Sequence, residues 1–188
     1  DPMGEMKRVA IIGNAGGGKS TLARELAAIT GLPLAVVDKL QYRAGGVEVP
    51  HAEFLQAHAD LLASDAWIID GFGGAKLLWQ RLDAADTLIH VDLPLALHAL
   101  WVTKRLVTGL LAAPPGWPQG SPIVSSSISS YRVLWPCHTL MTPKYRAYVA
   151  QAAGRKRVFH LRSRRELAQF LATMRAEYAL ARAAGTAR

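Results

Sequence analysis

Lys7-Arg8-Val9-Ala10-Ile11-Ile12-Gly13-Asn14-Ala15-Gly16-Gly17-Gly18-Lys19-Ser20 passes from a short apolar run into a glycine loop and ends on a lysine and a hydroxyl. Residues 13–20 satisfy G-x-x-x-x-G-K-[ST], the pattern of a phosphate-binding loop. In such a loop the backbone N–H groups, here those of Gly13, Asn14, Ala15, Gly16, Gly17 and Gly18, cradle phosphates. Lys19 then reaches the β/γ-phosphates, Ser20 holds Mg²⁺, and Thr21 adds a hydroxyl on the α-phosphate side. The apolar run before the loop predicts a buried parallel strand. After it, Leu22, Leu26 and Ile29 recur at helical spacing, and Gly31 and Pro33 mark the stop. Strand, loop and helix thus follow in the order the motif needs, and Ala15 stands where a dinucleotide fingerprint would require glycine.

Four further apolar runs extend the pattern. Leu34–Val37 ends at Asp38, Trp67–Ile69 at Asp70, Thr87–Val91 at Asp92, and Arg157–Leu161 precedes Ser163-Arg-Arg-Glu166, a capping box that opens a last helix. That helix has an apolar stripe of Leu167, Phe170, Leu171, Met174 and Tyr178. Phe54, Leu55, His58, Leu61 and Leu62 fall on one face of a helix over 51–64, and Pro94 can start another running to about Gly109. The alternation of strands and helices predicts an α/β fold, three layers deep, with a five-stranded parallel sheet. Residues 112–130 collect proline, glycine and serine and read as a mobile flap or a passive loop. Tyr131–Ala153 reads as helix in pieces, broken near Pro136 and Pro143.

At 188 residues and 51% hydrophobic content, one domain over 7–178 is expected, with a lid insertion at about 109–131. Residues 1–6, which begin Asp1-Pro2-Met3, are set aside as a remnant or a disordered start, and 179–188 as a flexible tail. A lone Cys137 excludes an internal disulfide and makes no metal site by itself, as suits a reducing cytoplasm. The long apolar run from Leu93 is interrupted by His98, Lys104 and Arg105, which favours a buried or lid-bearing helix over a membrane span. A soluble cytoplasmic protein, monomer or homodimer, is expected. The net charge of +8 favours anionic partners, whether nucleotide or nucleic acid.

Carboxylates at strand ends suggest chemistry. Asp70 and Asp92 compete as the group behind Mg²⁺, with Asp70 favoured by the glycines that follow it, and Asp92, before Leu-Pro, suited to cap a helix. Asp38 is placed to accept the proton of an acceptor hydroxyl, or is simply a solvated strand end. Lys104, Arg105 and Arg132 flank the flap, and Arg105 is the candidate to carry charge onto a transferring phosphoryl group. Arg162, Arg164 and Arg165 either edge a nucleotide base or solvate the helix start.

These residues together, with Leu-Pro-Leu-Ala-Val-Val-Asp38, Trp-Ile-Ile-Asp70-Gly71 and Ala-Asp-Thr-Leu-Ile-His-Val-Asp92-Leu-Pro, resemble adenylate-kinase-like P-loop proteins. More narrowly the chain is similar to bacterial DNA topology modulation (FlaR-related) proteins. The resemblance implies ATP and Mg²⁺ as cofactors, a small lid, and phosphoryl transfer to a nucleotide or other small acceptor. Asp70-Gly71-Phe72 looks like the start of the adenylate kinase Asp-Gly-Phe-Pro-Arg segment but continues Gly73-Gly74, so the arginine that would grip an acceptor phosphate is missing unless Lys76 or Arg81 replaces it. Residues 106–131 also lack the lid arginines of the narrower group. A small-molecule kinase is the first expectation, a nucleotide-gated regulatory or DNA-associated protein the second, and a simple ATPase the third.

Overall fold

The computed structural model describes residues 5–14, 18–111 and 123–185. Its strands are β1 (Arg8–Gly13), β2 (Leu34–Val36), β3 (Trp67–Asp70), β4 (Thr87–Val91) and β5 (Arg157–Leu161). They form one sheet in the order β2-β3-β1-β4-β5, and every pairing is parallel. Parallel neighbours need crossovers, supplied by α1 (Lys19–Thr30), α2 (Val37–Gln41), α3 (His51–Ala63), α4 (Ala75–Ala84), α5 (Leu95–Leu111), α6 (Ile123–Pro136) and α7 (Thr142–Ala152), while α8 (Arg164–Ala183) follows the last strand. β2 and β3 build out on one side of β1, and β4 and β5 on the other. The phosphate loop therefore leaves the sheet from its centre, at the carboxyl edge where chain connections diverge and ligands bind in such sheets.

Side chains alternate along a strand, so β1 sends Val9 and Ile11 to one face and Ala10 and Ile12 to the other. On the first face Ile68, Ile89 and Val91 meet Leu22 and Leu26 of α1 and Phe170, Leu171 and Met174 of α8. On the second, Trp67, Ile69 and Leu88 meet Leu77, Leu78 and Leu82 of α4, Tyr145 and Val149 of α7, and Phe54 of α3. Both faces are covered, which is why the strands read as unbroken apolar runs. The expected three layers are present, and the α8 stripe is core. Ser163 Oγ accepts from Glu166 N at 3.1 Å, one half of the capping box, while the Glu166 carboxylate accepts from Arg162 N one residue earlier than expected.

Several boundaries differ from expectation. Met6, set aside with the amino-terminal residues, is buried in the first core, and residues 179–183 continue α8 as helix rather than tail. β2 stops at Val36, so Asp38 lies within the short helix α2. Leu55 is exposed and leaves the apolar face of α3, whose buried positions are Phe54 and His58. Residues 123–130, read as flap or loop, are the start of α6. Serine costs a helix interior only a few tenths of a kcal/mol, and α5 offers a helix to pack against. Tyr131 and Thr103 hydrogen-bond across that pair. A π-helical turn, Cys137–Met141, joins α6 to α7 just after Pro136, whose missing N–H interrupts the regular ladder. Pro143 sits in the first turn of α7, where it is tolerated. Residues 1–4, 112–122 and 186–188, and Ala15, Gly16 and Gly17 of the loop, lie outside the described residues.

Candidate active site

Gly13 ends β1 with φ at +147°, and a Cβ there would lie 2.3 Å from the Val91 carbonyl oxygen. Only glycine lets β1 and β4 approach so closely at the point where the loop begins. Asn14 is buried, and its side-chain amide donates to the Leu134 carbonyl at 3.0 Å, tying the loop to α6. Gly18 caps α1 with no side-chain acceptor for the first-turn amides, which leaves those donors and the positive end of the helix dipole for an anion. Lys19 Nζ donates to the Asn14 carbonyl at 2.6 Å. Burial lowers the Lys19 pKa, and Asp70, Cys137 and Asp38 oppose that shift. Thr21 is exposed and accepts from Arg24 at 3.4 Å. It does not line the cavity described next.

Ser20 Oγ donates to Asp70 Oδ2 at 3.2 Å, and Asp70 Oδ1 accepts from Gly71 N at 2.8 Å. Asp70 ends β3 and is 3% exposed. Asp38 opens toward the same space from α2, with its carboxyl raised first by burial in the wall and then by the neighbouring Asp70. Lys19, Ser20, Asp38, Asp70 and, from the middle of α5, Arg105 all line one cavity of about 490 Å³. Strand ends and helices far apart in the chain thus bring five of the expected residues together. A hydroxyl and a carboxylate 3.2 Å apart are hard oxygen donors of the kind that suit Mg²⁺, and a lysine beside an uncapped helix start suits phosphate.

Asp92 takes no part in this cavity. Its carboxylate accepts from Arg146 Nε and NH2 at 2.6 and 2.9 Å, and lies 2.7 Å from His160 Nε2. Burial alone would raise its pKa, but these hydrogen bonds outweigh burial and hold it at about 2. The helix-capping expectation gives way to this ion pair, which occupies both oxygens. Arg162, which can only donate, lies 3.3 Å from His160 Nδ1, so Nε2 carries the ring proton toward Asp92. His90 stacks on His160 with ring centroids 4.8 Å apart. It has no hydrogen-bond partner at either ring nitrogen, and burial pushes its pKa down to about 4. His90, Asp92 and His160 offer ligand atoms within 4.8 Å of one another, a set that could hold a metal ion, with Asp92 already engaged by Arg146. The parallel register pairs His90 with His160. Two histidines inside apolar runs 70 residues apart in sequence carry no local signal of that pairing.

The remaining wall was not foreseen. Phe72, Leu78, Val133, Leu140, Met141 and Tyr145 line the cavity, four of them from the α6–α7 stretch that sequence reading left uncertain. Arg81, expected as a substitute grip on an acceptor phosphate, points inward. It is 1% exposed and donates to the Gly71 and Phe72 carbonyls at 2.9 and 2.6 Å, fixing the loop after β3. Lys76, Lys104 and Arg132 are exposed and do not line the cavity. Arg162 engages His160, and Arg164 lies 5.7 Å from the centre of the Trp101 ring.

No helix among the described residues is long and apolar enough to cross a membrane. Comparison by sequence yields neither a matching family model nor a matching curated protein. Among solved structures, the chain is similar to a shikimate kinase from Acinetobacter baumannii in complex with shikimate, at 17% identity over 94% of each chain with a TM-score of 0.54. A gluconokinase from Sinorhizobium meliloti aligns over 92% of this chain and 91% of its own, at 15% identity and a TM-score of 0.48. The chain thus shares with that shikimate kinase an α/β fold, here a five-stranded parallel sheet with helices on both faces.

Proposed function

We propose that this protein is a Mg·ATP-dependent kinase that transfers the γ-phosphate of ATP to a hydroxyl of a small molecule. The observation that carries this reading is the convergence of Lys19, Ser20, Asp38, Asp70 and Arg105 on one cavity at the carboxyl edge of the sheet. Bound Mg·ATP supplies the transferable phosphoryl group and a metal charge that offsets its oxygens. Ser20 and Asp70 hold the metal. Lys19 exchanges its contact with the Asn14 carbonyl for the phosphates, and the loop amides from Gly13 to Gly18 cradle them. Asp38 accepts the acceptor O–H. Its raised pKa makes it a stronger base than an ordinary aspartate once ionised. Arg105 adds positive charge where negative charge is redistributed during transfer.

A Lys19→Ala variant tests the root of this reading. Ligand at about 100 times its Kd stabilises a fold by about 2.7 kcal/mol, or about 5–10 °C for a chain of this size. The wild type should show that shift with Mg·ATP, and the variant should keep the unliganded melting temperature while losing the shift. Equal shifts in both proteins would contradict the assignment. Tight Mg·ATP binding with no phosphate transfer to a broad panel of metabolites would sink the kinase reading while leaving the nucleotide site intact.

A further inference from the structure

The cavity divides by chemistry. Its charged groups are Lys19, Asp38, Asp70 and Arg105, with the Ser20 hydroxyl beside Asp70, and most of the rest of its described wall is apolar or aromatic. Phe72, Val133 and Leu140 line it while standing 47%, 53% and 64% exposed, so large apolar surfaces are held open at its mouth. Such surfaces on a concave site mark a ligand with an apolar body. Tyr145, 3% exposed, also lines the cavity.

Among the described residues, Lys19 and Arg105 are the only cations lining this cavity. Both are taken up by the triphosphate in the proposed kinase reading, on which this inference rests. The basic residues nearest in sequence do not relieve the shortage. Arg81 is buried on backbone carbonyls, and Lys76, Lys104 and Arg132 are not in the wall. Residues 106–131 contain no charged side chain, and residues 15–17 are Ala, Gly and Gly, so the parts of the loop and insertion outside the described residues add no cation. An acceptor carboxylate or phosphate would enter facing Asp38 and Asp70 with no counter-charge of its own, and an unpaired desolvated charge is strongly disfavoured.

We infer that the acceptor is an alcohol with no anionic group and with an aromatic or aliphatic body, lying against Phe72, Val133, Leu140, Met141 and Tyr145 and presenting its hydroxyl to Asp38. In the transfer the acceptor oxygen forms a bond to the γ-phosphorus while the bond from that phosphorus to the β,γ-bridging oxygen breaks. ADP leaves with that electron pair, and the hydroxyl proton passes to Asp38 and then to water. ATP and the alcohol become ADP, a phosphate monoester and a proton.

The test uses the full chain with Mg·ATP and five acceptors: benzyl alcohol, 4-(hydroxymethyl)benzoate, 4-(hydroxymethyl)phenyl phosphate, 4-(aminomethyl)benzyl alcohol and myo-inositol. Phosphorylated product is read by ³¹P NMR and mass spectrometry, and Mg·ATP binding is measured separately by calorimetry. Benzyl alcohol should exceed the carboxylate and the phosphate by about 100-fold in kcat/KM. Phe72→Ala should raise its KM about 10-fold with little change in kcat. Leu140→Arg, at an exposed position, should lower the KM of the carboxylate and raise that of benzyl alcohol. Faster transfer to the carboxylate, phosphate or polyol overturns the inference and leaves the kinase reading standing. Mg·ATP binding with transfer to none of the five, but to another metabolite that is anionic or polyhydroxylated, does the same. Binding without transfer to anything overturns both, and absence of Mg·ATP binding removes the reading on which the inference rests.

Discussion

His90 shows what the fold does to one side chain. It is 1% exposed, edge-on to Tyr145 and stacked on His160, and both ring nitrogens lack partners. Burial holds its pKa at about 4 against an ordinary 6.5, so the folded protein keeps it neutral where the unfolded chain takes up a proton. The depressed value of a base means that stability is whole above pH 6.5 and falls as pH drops toward 4, where about 3 kcal/mol is lost. His58, also pushed down to about 4 by burial, acts in the same window. Asp92, held at about 2, adds a separate loss only below its ordinary value of 3.8. Urea midpoints at pH 7.5, 5.5 and 4.5 check this: His90→Phe should lose about half of the decline seen in the wild type between the first and last. An unchanged pH slope in the variant would show that His90 is not the group responsible.

At the scale of elements, α4 ends on a lysine from elsewhere in the chain. Lys156 Nζ donates to the carbonyls of Leu82, Asp83 and Ala85 at 2.7, 2.7 and 2.8 Å, satisfying acceptors that the helix cannot reach itself and opposing the negative end of its dipole. Lys156→Met keeps the aliphatic stem and removes the three donors. It should cost about 1–3 kcal/mol, seen as a fall in melting temperature of about 3–8 °C; an unchanged melting temperature would mean that water replaces the ammonium at no loss. This contact also marks the limit of what was legible beforehand. The five strands and the helix after the phosphate loop could be read because local apolar runs and a spaced motif carry them, and Asp38, Asp70 and Arg105 stood beside those elements. The apolar wall from α6 and α7, the inward turn of Arg81 and the pairing of His90 with His160 depend on register and packing between distant segments. Serines 125–127 read as loop because their helix is decided by the α5 surface beside it, a tertiary effect that overrides a weak local preference.

The whole molecule carries a net charge of +8, which together with the arginine-poor lid segment and the resemblance to topology modulation proteins motivates a nucleotide-gated DNA-associated reading. Part of the basic complement is engaged by other groups of the protein. Arg43, Arg146, Arg157 and Arg175 are ion-paired with Glu53, Asp92, Glu177 and Glu25 on separate elements. Arg81 and Lys156 hold backbone carbonyls, and Lys19 faces the cavity. Net positive charge attracts a polyanion without fixing its register, so duplex DNA should bind weakly at low salt, with affinity falling steeply as salt rises. The cavity reading adds a sharper condition. In the proposed function nucleotide would bind at the loop with its charge matched there by Lys19, Arg105 and Mg²⁺, so Mg·ATP would have no differential contact through which to alter a duplex-facing surface. Fluorescence anisotropy on a labelled duplex across 20–200 mM salt should therefore give the same binding curves, within about 2-fold, with and without saturating Mg·ATP. A shift of about 10-fold or more, lost in Lys19→Ala, would demand a coupling between the loop and the basic surface of about 1.4 kcal/mol. In that case the contact from Asn14 to the Leu134 carbonyl, which joins the phosphate loop to α6, is the connection to break first.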